Sequence, residues 1–278
     1  MAVEPTPLSA NNQRLATLRR LTGRRKARLE AGQFVIEGPV ALTEALSAGI
    51  TIDELYVDAR TWAEAFTRAA DDDPFIVTVD LAASAGASVW SLSEGVLDSI
   101  SDTVTPQGLL AVAPRRTTSL EQIAQASGPV LVLVDVADPG NAGTLVRAAE
   151  AFGAAGVVFA GTSTDAFGPK AVRAAAGSLL RLPIVEEPDT TVVIDRLREL
   201  GRTTLATVVS GGAAPESIDL TGPLAVLVGS EAHGLSPVII EQCDRNVTIP
   251  VALSVESLNV SVAGAVVLFE ASRQRRSA

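Results

Sequence analysis

The sequence is poor in the residues that build disulfide-bonded or metal-bound frameworks. Its 278 residues include one cysteine, Cys243, and one histidine, His233. A single cysteine excludes an internal disulfide framework and is typical of a reducing compartment. The chain also lacks the clustered cysteine and histidine ligands of a zinc site, so we expect it to hold no metal.

Long apolar runs are absent as well. The longest, such as residues 130–136, have the length of a strand and are too short to cross a bilayer. The first residues lack the charged and apolar regions of a signal peptide. Aromatic residues make up 4% of the chain, but 47% hydrophobic residues and a mean hydropathy of +0.31 allow sizeable cores. We therefore expect a soluble, cytoplasmic protein without membrane contact.

The charge distribution is uneven. A net charge of −10 argues against a nucleic-acid partner, because phosphate binding requires Lys and Arg. Seven basic residues nevertheless lie in one early segment without an intervening acid. They are Arg14, Arg19, Arg20, Arg24, Arg25, Lys26 and Arg28. The segment is either a solvated helix face or an RNA-binding arm, and Arg19, Arg20, Arg24, Arg25 and Lys26 are its candidate RNA-binding residues.

Strand and helix patterns alternate in two blocks, which indicates an α/β protein. In the first block, residues 33–38, 54–58, 75–80 and 109–113 read as strands, with helices over 40–47 and 61–70. A Pro-Arg-Arg-Thr-Thr stretch at 114–118 is typical of a linker.

The second block opens with an almost continuous apolar run typical of a buried parallel strand. That run, residues 130–136, is the first predicted strand of this block. Further strands are predicted at 156–160, 182–185, 203–208, 224–228 and 246–249, and helices at 142–152, 170–176, 191–200 and 258–272. This pattern predicts a doubly wound, nucleotide-binding sheet with a crevice at the carboxyl ends of its strands.

The first of three notable segments, residues 135–153, carries Asn141 and Arg147. Asn141 is either a functional residue or an ordinary N-cap, since Asn is among the best residues there. Arg147 stands alone in an apolar helical stretch, which favours a charge directed at an anion over a plain surface charge.

The second segment, residues 224–236, places Glu231 between Gly229 and Gly234 after a buried strand. Glycines at that position let backbone approach a ligand closely. Glu231 is either an exposed loop charge or a partner for Arg147.

The third segment, residues 249–271, leads through a polar loop to a helix whose predicted N-cap is Ser257. A helix N-terminus at a pocket offers free N–H groups to a ligand. An ordinary capped helix is the simpler interpretation.

Taken together, the segments N-x-G-x-x-x-R-x-A-E-A-F-G, G-S-E-A-H-G-L-S and I-P-x(6)-S-L-N-V-S-V-A closely resemble the three signature motifs of the SpoU-TrmH (SPOUT) RNA methyltransferases. Residues 170–183 are similar to the family's intermediate segment, so the resemblance covers residues 131–273. The first block, with F-V-I-E-G and S-D-T-V-T-P-Q-G-L-L-A-V, resembles the substrate-binding domain of members that act on ribosomal RNA.

The resemblance implies a C-terminal parallel α/β sheet with a trefoil knot, the SPOUT fold. A smaller N-terminal α/β substrate-binding domain precedes it in the chain. Knots are nearly absent from folds, so the pattern of elements alone would not predict one. We expect the N-terminal RNA-binding domain at residues 1–113, a linker at 114–122 and the methyltransferase domain at 123–278.

The implied activity is ribose 2′-O-methylation of RNA, most consistent with 23S ribosomal RNA, with S-adenosyl-L-methionine as cofactor. The residues at the family's cofactor-binding positions are Val208, Gly229, Ile249 and Leu258. Those at its catalytic positions are Asn141, Arg147, Glu231, Ser257 and Asn259. In the family, the arginine at the position of Arg147 is proposed to help remove the hydroxyl proton. Because a guanidinium is a poor base, fixing a phosphate or stabilising alkoxide charge is the physically easier role for Arg147, with Glu231 orienting it.

Three other functions remain open. A tRNA 2′-O-methyltransferase would keep the chemistry, whereas a non-catalytic RNA-binding knot protein would not need intact Asn141, Arg147, Glu231 and Asn259. An oxidoreductase fits the coarse fold, but no G-x-G-x-x-G follows a predicted strand. The resemblance and the apolar C-terminal helix predict a homodimer through the C-terminal domain.

Overall fold

The chain forms two units, described here from a computed structural model that covers residues 3–69, 73–252, 254 and 256–277. One unit comprises the chain up to Arg115 together with Phe167–Arg173, and the other comprises Arg116–Ala166 and Ala174–Ala278. The structure is mixed α/β, as the sequence predicts. No described helix is long and apolar enough to span a membrane.

The first unit contains a mixed five-stranded sheet. Its strands are β1 (Thr6–Leu8), β2 (Gln33–Glu37), β3 (Glu54–Asp58), β4 (Ser88–Leu92) and β5 (Leu109–Pro114), in the order β1-β4-β3-β5-β2. Strand β4 runs parallel to β1 and β3, whereas β5 is antiparallel to β2 and β3. Its helices are α1 (Gln13–Gly23), α2 (Arg25–Ala31), α3 (Pro39–Ser47), α4 (Ala59–Ala69) and α5 (Pro74–Ser84).

Residues 75–80, predicted as a strand, lie in helix α5, and that prediction is wrong. Asp73 caps the helix by accepting a hydrogen bond from Phe75 N at 2.9 Å, and Pro74 occupies its first turn. The apolar run reads as a strand, but Ile76 and Val79 are buried while Val77 is 41% exposed, which is helical periodicity. The sequence analysis also missed strands β1 and β4.

The second unit contains a six-stranded, entirely parallel sheet. Its strands are β6 (Val130–Val134), β7 (Gly156–Ala160), β8 (Ile184–Glu187), β9 (Thr203–Thr207), β10 (Leu224–Val228) and β11 (Arg245–Val247). The helices in this half of the chain are α6 (Leu120–Gln125), α7 (Pro139–Ala151), α8 (Pro169–Ala174), α9 (Ser178–Arg181), α10 (Thr190–Glu199), α11 (Pro237–Gln242) and α12 (Val260–Ser277). Helix α8 falls mainly in the first unit.

The strand order β11-β9-β10-β6-β7-β8 reverses direction beside β6. From β6 the chain adds β7 and β8 on one side, and it then returns to place β10 and β9 on the other side. Every residue of β6, β7 and β10 is buried, as expected for the centre of a parallel sheet. The carboxyl ends of β6 and β10 therefore form a topological switch point, where open α/β sheets bind ligands.

Residues 114–122, predicted as a linker, contain the last residue of β5 and the start of α6. Ser119 caps α6 with a capping box: its side chain accepts from Gln122 N at 3.2 Å, and Gln122 Oε1 accepts from Ser119 N at 3.2 Å. The last three residues of this stretch, 120–122, are therefore helical.

Arg202 is a buried structural residue of the second unit that the sequence analysis did not single out. It is 3% exposed, and its guanidinium donates to five backbone carbonyl groups. They belong to Ile123 (3.1 Å), Ala124 (3.0 Å), Ala126 (2.6 Å), Gly128 (2.6 Å) and Leu224 (3.0 Å). Arg202 thereby fastens the end of α6 to strand β10.

Arg202→Ala should lower the free energy of unfolding by about 3 kcal/mol, because it leaves several buried carbonyl groups without a donor. Arg202→Lys should recover little, since an ammonium has three donors in a different geometry. Urea unfolding followed by circular dichroism measures the loss. Arg196→Ala, which removes an exposed arginine of the same unit, is the control and should change the midpoint little. Equal midpoints for Arg202→Ala and the control would contradict this role.

Candidate active site

The loop after β6 leads from Asp135 into helix α7. Asp138 caps this helix, because its Oδ1 accepts a hydrogen bond from Asn141 N at 2.8 Å. The alternative that Asn141 is the N-cap is therefore wrong. An Asp-Pro pair at the N-cap and first helical positions is the sequence signal that identifies Asp138 instead. Asn141 lies in the first turn, where its side chain is available for other contacts.

The loop after β10 presents Glu231 towards the loop after β6. Ser230 and Gly234 exchange backbone hydrogen bonds of 3.1 and 2.9 Å, which closes a tight turn around Glu231. A Cβ on Gly229 would lie 2.1 Å from the backbone carbon of Gly234, so this turn requires glycine at position 229. The sequence predicts that Gly229 lets the backbone approach a ligand; the close neighbour in the structure is the backbone of Gly234.

The Glu231 carboxylate holds the first loop through three hydrogen bonds. It accepts from the backbone N–H groups of Ala137 and Asp138, both at 3.2 Å, and from Asn141 Nδ2 at 3.0 Å. Glu231 was expected to orient Arg147, but its hydrogen bonds go to Asn141 and the loop instead.

Asn259 connects the third sequence segment, residues 249–271, to Asn141. Its Nδ2 donates to Asn141 Oδ1 at 3.1 Å, while its own Oδ1 accepts from Ser261 N at 2.9 Å and Val262 N at 3.4 Å. Those backbone bonds make Asn259 the N-cap of α12, so the prediction of Ser257 in that role is wrong. We call Glu231, Asn141 and Asn259 the Glu–Asn–Asn relay.

Hydrogen bonds to Glu231 keep its carboxyl group ionised. Partial burial by itself would raise the pKa of its carboxyl group. The hydrogen bonds donated by Asn141 and by backbone N–H groups, including those of Ala137 and Asp138, outweigh that effect and hold the pKa below its ordinary value of 4.5. Glu231 is therefore a carboxylate at neutral pH and acts as an acceptor.

A cavity of about 470 Å³ opens beside the relay. Its lining includes Val208, Gly229, Ile249 and Leu258, the four residues at the cofactor-binding positions, together with Glu231, Ser257 and Asn259. His233 and Glu256 also line it and were not among the site residues predicted from the sequence. His233 lies within the second motif, which could have identified it, whereas no pattern in the sequence distinguishes Glu256 from other loop residues.

The cavity fits a nucleoside-sized ligand such as S-adenosyl-L-methionine. Its volume lies within the range of small-molecule sites, roughly 300–1,000 Å³. Val208, Ile249 and Leu258 line it with apolar side chains, and Glu231, Glu256 and Asn259 line it with polar ones. This division is typical of cofactor sites.

Arg147 stands apart from these residues. It lies on helix α7, six residues beyond Asn141, with its side chain exposed. Within the described residues it makes no hydrogen bond or ion pair and does not line the cavity. Its guanidinium is therefore open to a ligand or partner.

The basic segment forms helices α1 and α2, with Arg24 at their junction, and all five candidate RNA-binding residues are exposed. Arg28 differs, because it is 5% exposed and its Nη1 donates to the carbonyl groups of Leu21 and Thr22. Arg14 pairs with Glu54 and stacks over Trp90, with 4.8 Å between the guanidinium carbon and the ring centroid. Arg14 and Arg28 thus stabilise the first unit.

The described residues contain no group of three His, Cys, Asp or Glu side chains that could hold a metal ion.

Two family matches agree with this geometry. Residues 128–269 match the SpoU rRNA Methylase family, and residues 12–111 match the MRM3-like substrate binding domain. The chain belongs to the SpoU rRNA methylase family. The resemblance stated from the three sequence segments is thus confirmed.

Named relatives of this SpoU chain extend over nearly its whole length. The 23S rRNA (guanosine(2553)-2′-O)-methyltransferase RlmP of Bacillus subtilis is 31% identical over 261 residues, covering 94% of this chain and 96% of RlmP. The 23S rRNA (uridine(2479)-2′-O)-methyltransferase of Streptomyces viridochromogenes is 30% identical, covering 97% of this chain and 93% of that protein.

Among solved structures, the AdoMet-bound rRNA methyltransferase from Sinorhizobium meliloti is similar with a TM-score of 0.81 and 29% identity. The similarity covers 96% of this chain and 97% of that one. The chain therefore has the SPOUT fold in its methyltransferase part.

Glu231→Gln should destabilise the protein at neutral pH, because its amide keeps one acceptor oxygen for Asp138 N and Asn141 Nδ2 but turns its NH2 group towards Ala137 N, which is also a donor. Since the folded-state pKa of Glu231 is lowered, the stabilisation by its carboxylate is present above the ordinary pKa. It is lost as the pH falls through the folded-state pKa. The difference in melting temperature between the wild type and Glu231→Gln should therefore shrink between pH 7 and pH 3.

Thermal unfolding at several pH values measures this difference. Glu256→Gln is the matched control, because its carboxylate makes no hydrogen bond within the described part of the chain. A melting-temperature difference for Glu231→Gln that is constant with pH would contradict the relay.

Proposed function

We propose that this chain is an S-adenosyl-L-methionine-dependent RNA methyltransferase that methylates a ribose 2′-hydroxyl of 23S ribosomal RNA. The Glu–Asn–Asn relay carries the proposal, because it joins all three SpoU motifs beside a cavity of cofactor size. The two named relatives support the substrate class. They act on different nucleotides, so the target nucleotide is left open.

The cofactor would bind in the cavity, with Val208, Ile249 and Leu258 against its adenosine and the backbone at Gly229 beside it. When bound it supplies a methyl group on a positively charged sulfur. The apolar wall excludes water from that methyl group, and the relay keeps the loops around it in place.

The residues of the chain have to align a weak nucleophile, the ribose hydroxyl, with that methyl group. Glu231 fixes Asn141, and Asn141 and Asn259 with Ser257 position the loops that receive the RNA. Arg147 holds the neighbouring phosphate or stabilises charge that develops on the ribose oxygen. It does not take the hydroxyl proton, since a guanidinium stays protonated in proteins. That proton leaves to solvent water as the ribose oxygen is methylated.

The N-terminal domain expected at residues 1–113 binds the RNA through the exposed face of α1 and α2, and residues 123–278 carry the methyltransferase site. The C-terminal segment is threaded as the trefoil knot of the family. The enzyme works in the cytoplasm, where ribosomal RNA would be available to it.

A homodimer would form through α12. Val262, Val266 and Phe269 follow each other at helical spacing on its surface and are 48%, 37% and 46% exposed. Phe152, the C-cap residue of α7, extends this apolar stripe, with 5.6 Å between its ring centroid and that of Phe269. Such a stripe suits a self-complementary contact.

Light scattering of the purified chain tests this homodimer, and a monomer at micromolar concentration would contradict it.

The activity is tested by incubating the purified chain with labelled S-adenosyl-L-methionine and total RNA, followed by mapping of 2′-O-methylated nucleotides. We expect label in 23S RNA. Label in transfer RNA would instead establish the alternative substrate, and cofactor binding without label in any RNA would refute the enzyme.

Arg147→Ala should slow single-turnover methylation by about a hundredfold or more, because a preorganised charge contact is lost. Cofactor affinity should stay unchanged, since Arg147 lies outside the cavity lining. Arg147→Lys should recover little if a forked contact to phosphate is needed. Arg196→Ala controls for loss of an exposed arginine. Near-normal turnover of Arg147→Ala would remove Arg147 from the catalytic machinery.

Combined substitution of Arg20, Arg24 and Lys26 by Ala should weaken RNA binding and flatten its salt dependence. Each lost duplex-like phosphate contact should lower the log–log slope by about 0.9. Substitution is preferable to truncation, because Leu15, Leu18 and Leu21 of α1 are buried in the core. Arg60→Ala with Arg68→Ala, on α4, is the control. An unchanged salt slope would show that the basic face is only solvated.

A further inference from the structure

The loop that donates to Glu231 begins with an unusual backbone conformation. Asp135 has a φ of +55°, and only one other described non-glycine residue has a positive φ. Such conformations are unfavourable for residues with a Cβ, and Asp and Asn tolerate them best. They persist where the surrounding structure enforces them, which happens often at functional sites.

The loop after β7 enforces this conformation. Thr162 donates two hydrogen bonds to Asp135 Oδ1, from its backbone N at 2.7 Å and from its hydroxyl at 2.8 Å. A Cβ on Gly161 would lie 2.3 Å from the same oxygen, so glycine there permits the close approach. Asp135 is thereby fastened to the neighbouring strand's loop.

Val136 is held by the same loop. Its N–H donates to the hydroxyl of Ser163 at 3.1 Å, and its carbonyl accepts from Thr164 N at 2.9 Å. Ser163 is 3% exposed, and its hydroxyl donates a hydrogen bond to Ala160 O at 2.7 Å. Both polar backbone groups of Val136 are therefore fixed by residues 160–164.

The next two residues along the chain are Ala137 and Asp138, whose N–H groups bind Glu231. We propose that Asp135 is a positioning residue for methyl transfer: clamped by Thr162, it aims the backbone donors that hold Glu231 and, through it, Asn141. This inference rests on the proposed function. It assigns to Asp135 and the loop after β7 a role that lies outside the relay and outside the cavity lining.

The variants are Asp135→Ala, which removes the acceptor of both Thr162 bonds, and Asp135→Asn, which keeps an acceptor oxygen and tolerates the positive φ. Asp219→Ala is the matched control. Asp219 also accepts from both the N–H (2.9 Å) and the hydroxyl (2.6 Å) of one threonine, Thr221, but it does not line the cavity.

In single-turnover methylation at saturating RNA, Asp135→Ala should be slower than wild type by about tenfold or more, because small misplacements of a catalytic loop are costly. Its KM for RNA and its affinity for S-adenosylhomocysteine should stay near wild type. Asp135→Asn should restore most of the rate, and Asp219→Ala should match wild type. A normal rate for Asp135→Ala, or an Asp135→Asn rate as low as that of Asp135→Ala, would overturn the proposal.

Hydrogen exchange separates this inference from the proposed function. The amides of Ala137 and Asp138 should exchange faster in Asp135→Ala than in the wild type, and Asp135→Asn and Asp219→Ala should not change them. If wild-type protein methylates no RNA, the proposed function fails while exchange still tests the clamp. If these amides exchange at the wild-type rate in Asp135→Ala, the clamp fails whatever the enzyme does.

Discussion

The side-chain amide of Asn141 is the contact on which the site depends. Its Nδ2 donates to Glu231, 90 residues further along the chain, and its Oδ1 accepts from Asn259, 118 residues further along, so one carboxamide connects three distant segments. An aspartate at position 141 could not donate to Glu231, and an alanine there would make neither of the two hydrogen bonds. Because Glu231 is ionised, its bond to Asn141 is charge-assisted and stronger than a neutral pair.

The parallel sheet brings these loops to one place. Strands β6 and β10 are neighbours although 90 residues separate Asn141 from Glu231, and their carboxyl ends meet where the strand order reverses. Each loop is further held by its own local device: Asp138 caps α7, Asn259 caps α12, and the Ser230–Gly234 turn fixes Glu231. The relay therefore joins loops that are already ordered, which limits the entropy lost in forming it.

The fold class, the central strands and the family could be predicted from the sequence, because buried parallel strands and fixed motifs leave local patterns. Helix α5 could not, since its apolar β-branched residues resemble a strand and only packing reveals which face is buried. The N-caps of α7 and α12 were misassigned for a similar reason: Asp, Asn and Ser are all good caps, and the contacts of Asp138 and Asn259 decide which residue caps each helix. The positive φ of Asp135 has no sequence signal, because it results from contacts with a distant loop.

A double-mutant cycle on Asn141 and Asn259 tests the relay most directly. Asn259→Asp keeps the cap of α12 but loses the donor to Asn141, and Asn141→Ala removes the acceptor of that bond. We expect each single variant to slow methyl transfer and the double variant to be no slower than the worse single variant, with a coupling energy of about 1 kcal/mol. Losses that simply multiply in the double variant would show that Asn141 and Asn259 act independently, which contradicts the relay.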